Sequence, residues 1–435
     1  MDMEWGLLGP ESLPRTRRNR TLGLGSTVRA FNNLAVPGLA GVWYGKQLLL
    51  TTLGIAVAEQ ARNEGFRVTN IEAANAIEAL ACRHAFESNG WQRELRLRGR
   101  IKLQGKTDWS FKKVRQRNFY VVQPMRMAVG QALPALGFVR TDSSLFNAFS
   151  CSDSGQAFVQ AATREFRPYN GTVLNHLVKW VQGDSRVATE TLGNALSPLT
   201  PLSEDAKSLL RERLLQGGQE SPEYRERRRN ALAWVESLRN NLATEPTWQN
   251  RPNQIAKQHW SDLRAGAVFF VARKTALDII DAVEAHLGNQ SGIPCLSLQK
   301  GLPDTLKRDI DKLKAAASAY LALKYRNPEA QAFCSECTQD DSSSLLRALV
   351  KRDSQVLRLV GDDIKPGPVF RGRLVQPGED DADEESFLAG NLSLPDGISY
   401  RVRNLYLFNL DINGELDAWL KTKPEGNEAR AGATP

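Results

Sequence analysis

The passage from Tyr120 to Ala162 constrains the fold of this chain more than any other. It reads Gln123-Pro124-Met125-Arg126-Met127-Ala128-Val129-Gly130-Gln131-Ala132-Leu133-Pro134-Ala135-Leu136-Gly137-Phe138-Val139-Arg140 before a short polar turn. Leu145-Phe146-Asn147-Ala148-Phe149-Ser150 comes next, and Ser152-Asp153-Ser154-Gly155 opens another apolar stretch. The spacing predicts a helix over 123–136 with Met125, Val129, Ala132, Leu133 and Leu136 on one docked face. The helix closes at Leu136-Gly137-Phe138-Val139-Arg140, a two-stranded excursion follows, and a further helix starts at the Ser-x-x-Gly element. Pro134 is expected to shorten or kink the first helix, because it has no N–H to donate.

Charge is concentrated on the same part of the chain. The net charge of the 435 residues is +8. Between Arg83 and Arg140, thirteen basic residues face only Glu87, Glu94 and Asp108, a net +10. The remainder is therefore near neutral or slightly acidic, and the focused charge favours a polyanionic partner. Trp91, Trp109, Phe111, Phe119 and Tyr120 are interleaved with these cations, a mixture suited to phosphate contact and base stacking. Within it, residues 95–103 alternate apolar and basic, which predicts a half-buried strand with Leu95, Leu97, Ile101 and Leu103 on one face.

Helix, short hairpin and Ser-x-x-Gly start together resemble the second half of a winged helix. They are similar to the multiple-antibiotic-resistance regulator class over about 40 residues. There a Leu-Gly-Leu-Val-like element precedes the wing and a Leu-Thr-x-x-Gly-like element opens the next helix. The matching residues here are Leu136 to Val139 and Cys151 to Gly155. The resemblance implies a helix that enters a DNA groove and a wing that lies along the backbone. Gln123, Arg126 and Gln131 would then face base edges. Arg96, Arg98, Arg100, Lys102, Lys112, Lys113, Arg115, Arg117, Arg140 and Asn147 complete the expected nucleic-acid surface.

Along the chain, residues 1–39 read as a Gly/Pro-rich arm carrying Arg15, Arg17, Arg18 and Arg20. Residues 40–168 read as the winged-helix domain, beginning with helices near 40–63 and 71–86, the second capped by Asn70. Residues 172–361 show apolar spacing of three and four, interrupted by Pro and Gly pairs, and read as a larger irregular helical domain. Residues 362–423 read as a β-containing tail. Its strand-like runs are 369–375 and 398–410, separated by an acidic loop at 379–385; residues 424–435 read as disordered. The fold class expected is mainly α, with a small β hairpin in the winged-helix domain.

Five cysteines do not form a disulfide framework and suit a reducing, cytoplasmic setting. The apolar run Leu48–Ala58 is too short to span a bilayer, so no membrane contact is expected. Cys334-x-x-Cys337 has no second pair at zinc spacing, the four histidines stand singly, and no phosphate-loop or nucleophile motif is present. No cofactor or metal is expected, and catalysis is disfavoured. The basic tract Arg225, Arg227, Arg228 and Arg229 either extends the nucleic-acid surface or pairs with the acidic loop. The function expected is a non-catalytic accessory or scaffold protein that binds DNA, duplex favoured, and positions other protein subunits. Its architecture is similar to accessory subunits of bacterial restriction and phage-defence systems. The alternatives are a structural adaptor that uses the winged helix for protein contact, and a cryptic metal-dependent nuclease.

Overall fold

Helix packing decides this architecture, since the described residues form strands only in one two-stranded and one three-stranded sheet, none longer than four residues. The computed structural model describes residues 21–184, 189–218, 220–240, 247–372 and 394–421. It divides into two compact units. One comprises Ala30–Ala267 with Pro377–Pro435, the other Met1–Arg29 with Val268–Gln376.

In the larger unit the helix Gly45–Asn63 is the hub. It is apolar on every face, and an all-round hydrophobic helix must be enclosed by others. Every residue from Gly45 to Ala58 is buried, including Lys46 and Gln47. The helices Asn70–Ser88, Met125–Val129, Asp153–Thr163, Val173–Val181 and Tyr400–Ile412 all pack against it. At the crossing with Asn70–Ser88 the backbones nearly touch, because a side chain at Gly54 would lie 2.5 Å from Ala74 Cα. The helix Asn70–Ser88 is started by Thr69, whose hydroxyl accepts from the Glu72 amide at 3.2 Å while Glu72 accepts from the Thr69 amide at 2.8 Å. Thr69, not Asn70, is therefore the cap. Asn70 instead donates to the Phe146 and Phe149 carbonyls at 3.0 and 2.8 Å, tying the hairpin loop to the helix start.

Three strand expectations are corrected here. Residues 95–103 form no strand, because Gly99 adopts φ +78° and opens the short helix Arg100–Leu103. Ile101, assigned to the buried face, is 65% exposed, while Leu97 and Leu103 are buried. Residues 398–410 are not β-like but supply the buried helix Tyr400–Ile412, started by Ser399 accepting from the Arg401 amide at 3.2 Å. A short apolar run does not distinguish strand from buried helix by periodicity alone. Residues 369–372 are likewise not strand, and 373–375 lie outside the described residues. The expected helix over 123–136 is broken into Met125–Val129 and Ala132–Leu136, since Pro134 has no N–H to offer the Gly130 carbonyl.

The smaller unit packs Asp304–Ala322, Pro328–Glu336 and Ser342–Asp353 with the latter part of the helix Lys257–Gly288. Phe269 lies at its centre, with ring centroids 6.0 Å from Tyr320 and 6.1 Å from Phe333. A three-stranded antiparallel sheet orders Leu296–Ser297, Asp363–Pro366 and Leu357–Val360, with Asp363–Pro366 central. Asp353 accepts from the Val356 and Leu357 amides at 2.9 Å, so the helix Ser342–Asp353 ends there and the chain turns into the sheet.

Candidate nucleic-acid interface

The helix, hairpin and helix passage rests on a few local contacts. Val139 and Arg140 pair antiparallel with Cys151 and Ser150. Ser152 accepts from the Gly155 amide at 3.0 Å and donates to the Gly137 carbonyl at 2.6 Å. The residue that starts the second helix thus also holds the left-handed glycine, φ +79°, that ends the first. A side chain at Gly155 would lie 2.1 Å from the Phe138 carbonyl oxygen, so the Ser-x-x-Gly element needs glycine there for packing. Met125, Val129, Ala132, Leu133 and Leu136 are all fully buried, as the apolar spacing predicts.

The thirteen residues expected on the surface separate into two groups. Lys102, Lys112, Lys113, Arg117, Gln123 and Gln131 are exposed. Among the described residues, no ion pair engages Lys102, Lys112, Lys113 or Arg117. Arg140 is exposed and meets Asp153 at 2.7 Å, an exposed pair that contributes little. Of the others, Arg96, Arg98, Arg100, Arg115 and Arg126 are half-buried and turn toward the protein, while Asn147 is exposed but bonded. Arg96 lies between Glu94 and Asp417, and Arg115 binds Glu72 at 2.5 Å. Arg98 donates to the Gln123 carbonyl at 2.5 Å, and Arg100 to the Trp91 carbonyl at 3.4 Å. Arg126 is half-buried, donates to Asn75 at 2.7 Å and lies over the Phe146 ring. Asn147 accepts from the Ile71 amide at 3.1 Å, which makes it an anchor of the hairpin loop. The arm arginines Arg15, Arg17, Arg18 and Arg20 and the acidic loop 379–385 lie outside the described residues.

The second basic tract is turned inward at Arg227 and Arg228, which corrects the reading of those two as a surface extension, while Arg225 is half-buried and Arg229 exposed. Arg228 is 0% exposed and forks onto both Glu220 oxygens. Arg227 binds Asp262 at 2.6 Å and Glu223 at 3.0 Å.

Beneath the short helix Met125–Val129 lies a polar cluster that the sequence reading did not single out. Glu78 is buried; it accepts from the Tyr120 hydroxyl at 3.0 Å and from the Met125 amide at 2.8 Å. Burial pushes the Glu78 carboxyl up to about 7, against the opposing pull of the Arg98 and Arg126 charges. Tyr120 Oη lies 3.3 Å from Cys82 Sγ, and burial pushes that thiol up to about 12. A second interior charge, Lys46, donates to the Ala195 carbonyl at 2.7 Å and is pulled down to about 7 by burial. The signal for Glu78 was legible: it stands four residues from both Ala74 and Cys82 on an apolar helix face.

A cleft of about 540 Å³ opens where Gln131, Ala135, Val139 and Arg140 meet Pro37, Arg213, Tyr224 and Arg401. Its walls are joined by close backbone contact, with the Gly218 amide donating to the Ala135 carbonyl at 2.7 Å. Arg213 donates to the carbonyls of Leu136, at 2.7 Å, and Gly217.

Cys334 and Cys337 are both buried, and burial pushes the Cys334 thiol up to about 12. Among the described residues, no group of three or more His, Cys, Asp or Glu is placed to hold a metal, and no helix is long and apolar enough to cross a membrane. Comparison of the chain with protein-family models, curated proteins and solved structures found no match.

Proposed function

We propose that the larger unit binds nucleic acid, duplex DNA first, through the exposed part of 93–140, and that the hairpin carrying Arg140 serves as the wing of a winged helix. One observation carries this reading: Lys102, Lys112, Lys113 and Arg117 are exposed with no carboxylate within ion-pair distance among the described residues, Asp108 alone acting on Lys113 from further away, while Arg96 and Arg115 are paired with acids of the protein. Cations retained at a surface without counter-charges raise the local potential and release counterions when phosphate arrives. Gln123, exposed just before the broken helix, and Gln131, exposed at its break, are the side chains available to purine edges.

The test is a salt series with duplex, single-stranded and RNA probes. The wild-type chain should lose affinity steeply as salt rises, and K112E/K113E/R117E should remove binding at low salt. Binding that is flat with salt, or unchanged in that variant, overturns the reading. A second reading has its own observation. Ile101, Val122, Met127 and Leu145 are large apolar residues at 65%, 71%, 50% and 70% exposure. Such residues suit docking of a protein subunit, and association through them would be insensitive to salt.

A further inference from the structure

The cleft lined by Arg401 contains a buried cation with no counter-charge among the described residues. Arg401 is 3% exposed, and its guanidinium donates only to neutral oxygens, Asn33 Oδ1 at 2.5 Å and the Val36 carbonyl at 3.4 Å. Its Nε is buried with no partner, and no described carboxylate lies within ion-pair distance. A guanidinium withdrawn from water without an anion is destabilising, and Arg401 lines the cleft, where an anionic ligand would compensate it.

Other lining residues sharpen the chemistry. Among the described residues, Arg213 bonds only to backbone carbonyls, and Arg140 at the rim is held by the exposed Asp153 alone. The single acid in the lining, Glu220, is already matched by Arg228. Three arginines against one neutralised carboxylate leave a surplus greater than one positive charge, which suits a dianion better than a monocarboxylate. At the mouth, the Tyr224 ring is 40% exposed and the Gln131 side chain is exposed. These offer a flat stacking surface and an amide able to pair with a base edge. The volume of about 540 Å³ is that of a small-molecule pocket.

We infer that this cleft binds a phosphomonoester of nucleotide size, with Arg401 and Arg213 on the phosphate and Tyr224 against the attached ring. The inference does not depend on nucleic-acid binding by Lys112, Lys113 and Arg117. The phosphomonoester has two possible sources, a free nucleotide and the phosphorylated end of a strand.

Calorimetric titration of the full chain with inorganic phosphate, AMP, and a trinucleotide with and without a 5′-phosphate tests the inference. AMP should bind, and R140A, a surface change that leaves the fold intact, should weaken it about tenfold. R401M should abolish it, and Y224A should weaken AMP about tenfold while leaving inorganic phosphate unchanged. Preference for AMP assigns the site to a free nucleotide; preference for the trinucleotide, lost with its 5′-phosphate, assigns it to a strand end. No heat with any probe at 5 mM, or equal affinity in wild type and R140A, overturns the inference. K112E/K113E/R117E should bind AMP like wild type; a parallel loss of AMP and duplex binding in that variant also overturns it.

Discussion

Two arginine-rich tracts in the same unit have opposite fates. In 93–117 the chain is short helix and turn, and Lys102, Lys112, Lys113 and Arg117 project to solvent. In Pro222–Arg239 the arginines are part of a regular helix, and Arg227 and Arg228 share its buried face with Ala231, Leu232, Trp234 and Val235. Composition does not separate the two. The separation comes from the acids that each tract meets: Glu220, eight residues away, and Asp262, 35 residues away, await the second tract, whereas the first meets few acids. A buried arginine needs its carboxylate, and an exposed one is available to a ligand.

The largest effect on the fold is expected from R228A. It leaves Glu220 uncompensated and should cost about 3–5 kcal/mol, read as a lowered denaturation midpoint. A loss under 1 kcal/mol would break the contrast between the tracts.

The interior charges come next. The folded Glu78 carboxyl titrates near 7 and the unfolded one near 4.5. Between those values the unfolded chain has lost the proton that the folded chain retains, so stability falls as pH rises, by about 3 kcal/mol in all. Lys46 works in the opposite sense, from 10.5 unfolded to about 7 folded. There the folded chain sheds the proton first, and stability rises as pH climbs from 7 toward 10.5. Denaturation curves across pH should therefore show a dip near neutrality. E78Q should flatten its acid side and K46M its alkaline side.

A smaller effect, about 1 kcal/mol, is expected for S152A, which removes the cap of Asp153–Thr163 and the bond to the Gly137 carbonyl. Smallest for the fold are K112A, K113A and R117A, each within about 0.5 kcal/mol. Combined, they should still lower the salt slope of duplex binding by about 3. This set sharpens the comparison, because it separates stability from binding where R228A does not.

Much of the local structure is legible in the chain. The apolar positions of the broken helix, the stop at Gly137, the hairpin and the Ser152 start all follow from short-range patterning. The tail helix was misread because Arg401, Leu405, Phe408 and Ile412 form a helical stripe inside a run apolar enough to pass for a strand. Reading that stripe correctly would also have exposed Arg401 as a charge on a buried face. The alternation at 95–103 misled for the opposite reason, since Gly99 is free to take a left-handed turn that no alternation pattern registers.

By itself the sequence determined where charge is dense, where helices start and stop, and which positions are apolar enough to dock. Tertiary structure alone decided which cations keep their water. Propensity and capping act within a few residues, whereas neutralising Arg227 required Asp262 and enclosing Arg401 required Asn33 and Val36, residues brought near only by the folded backbone.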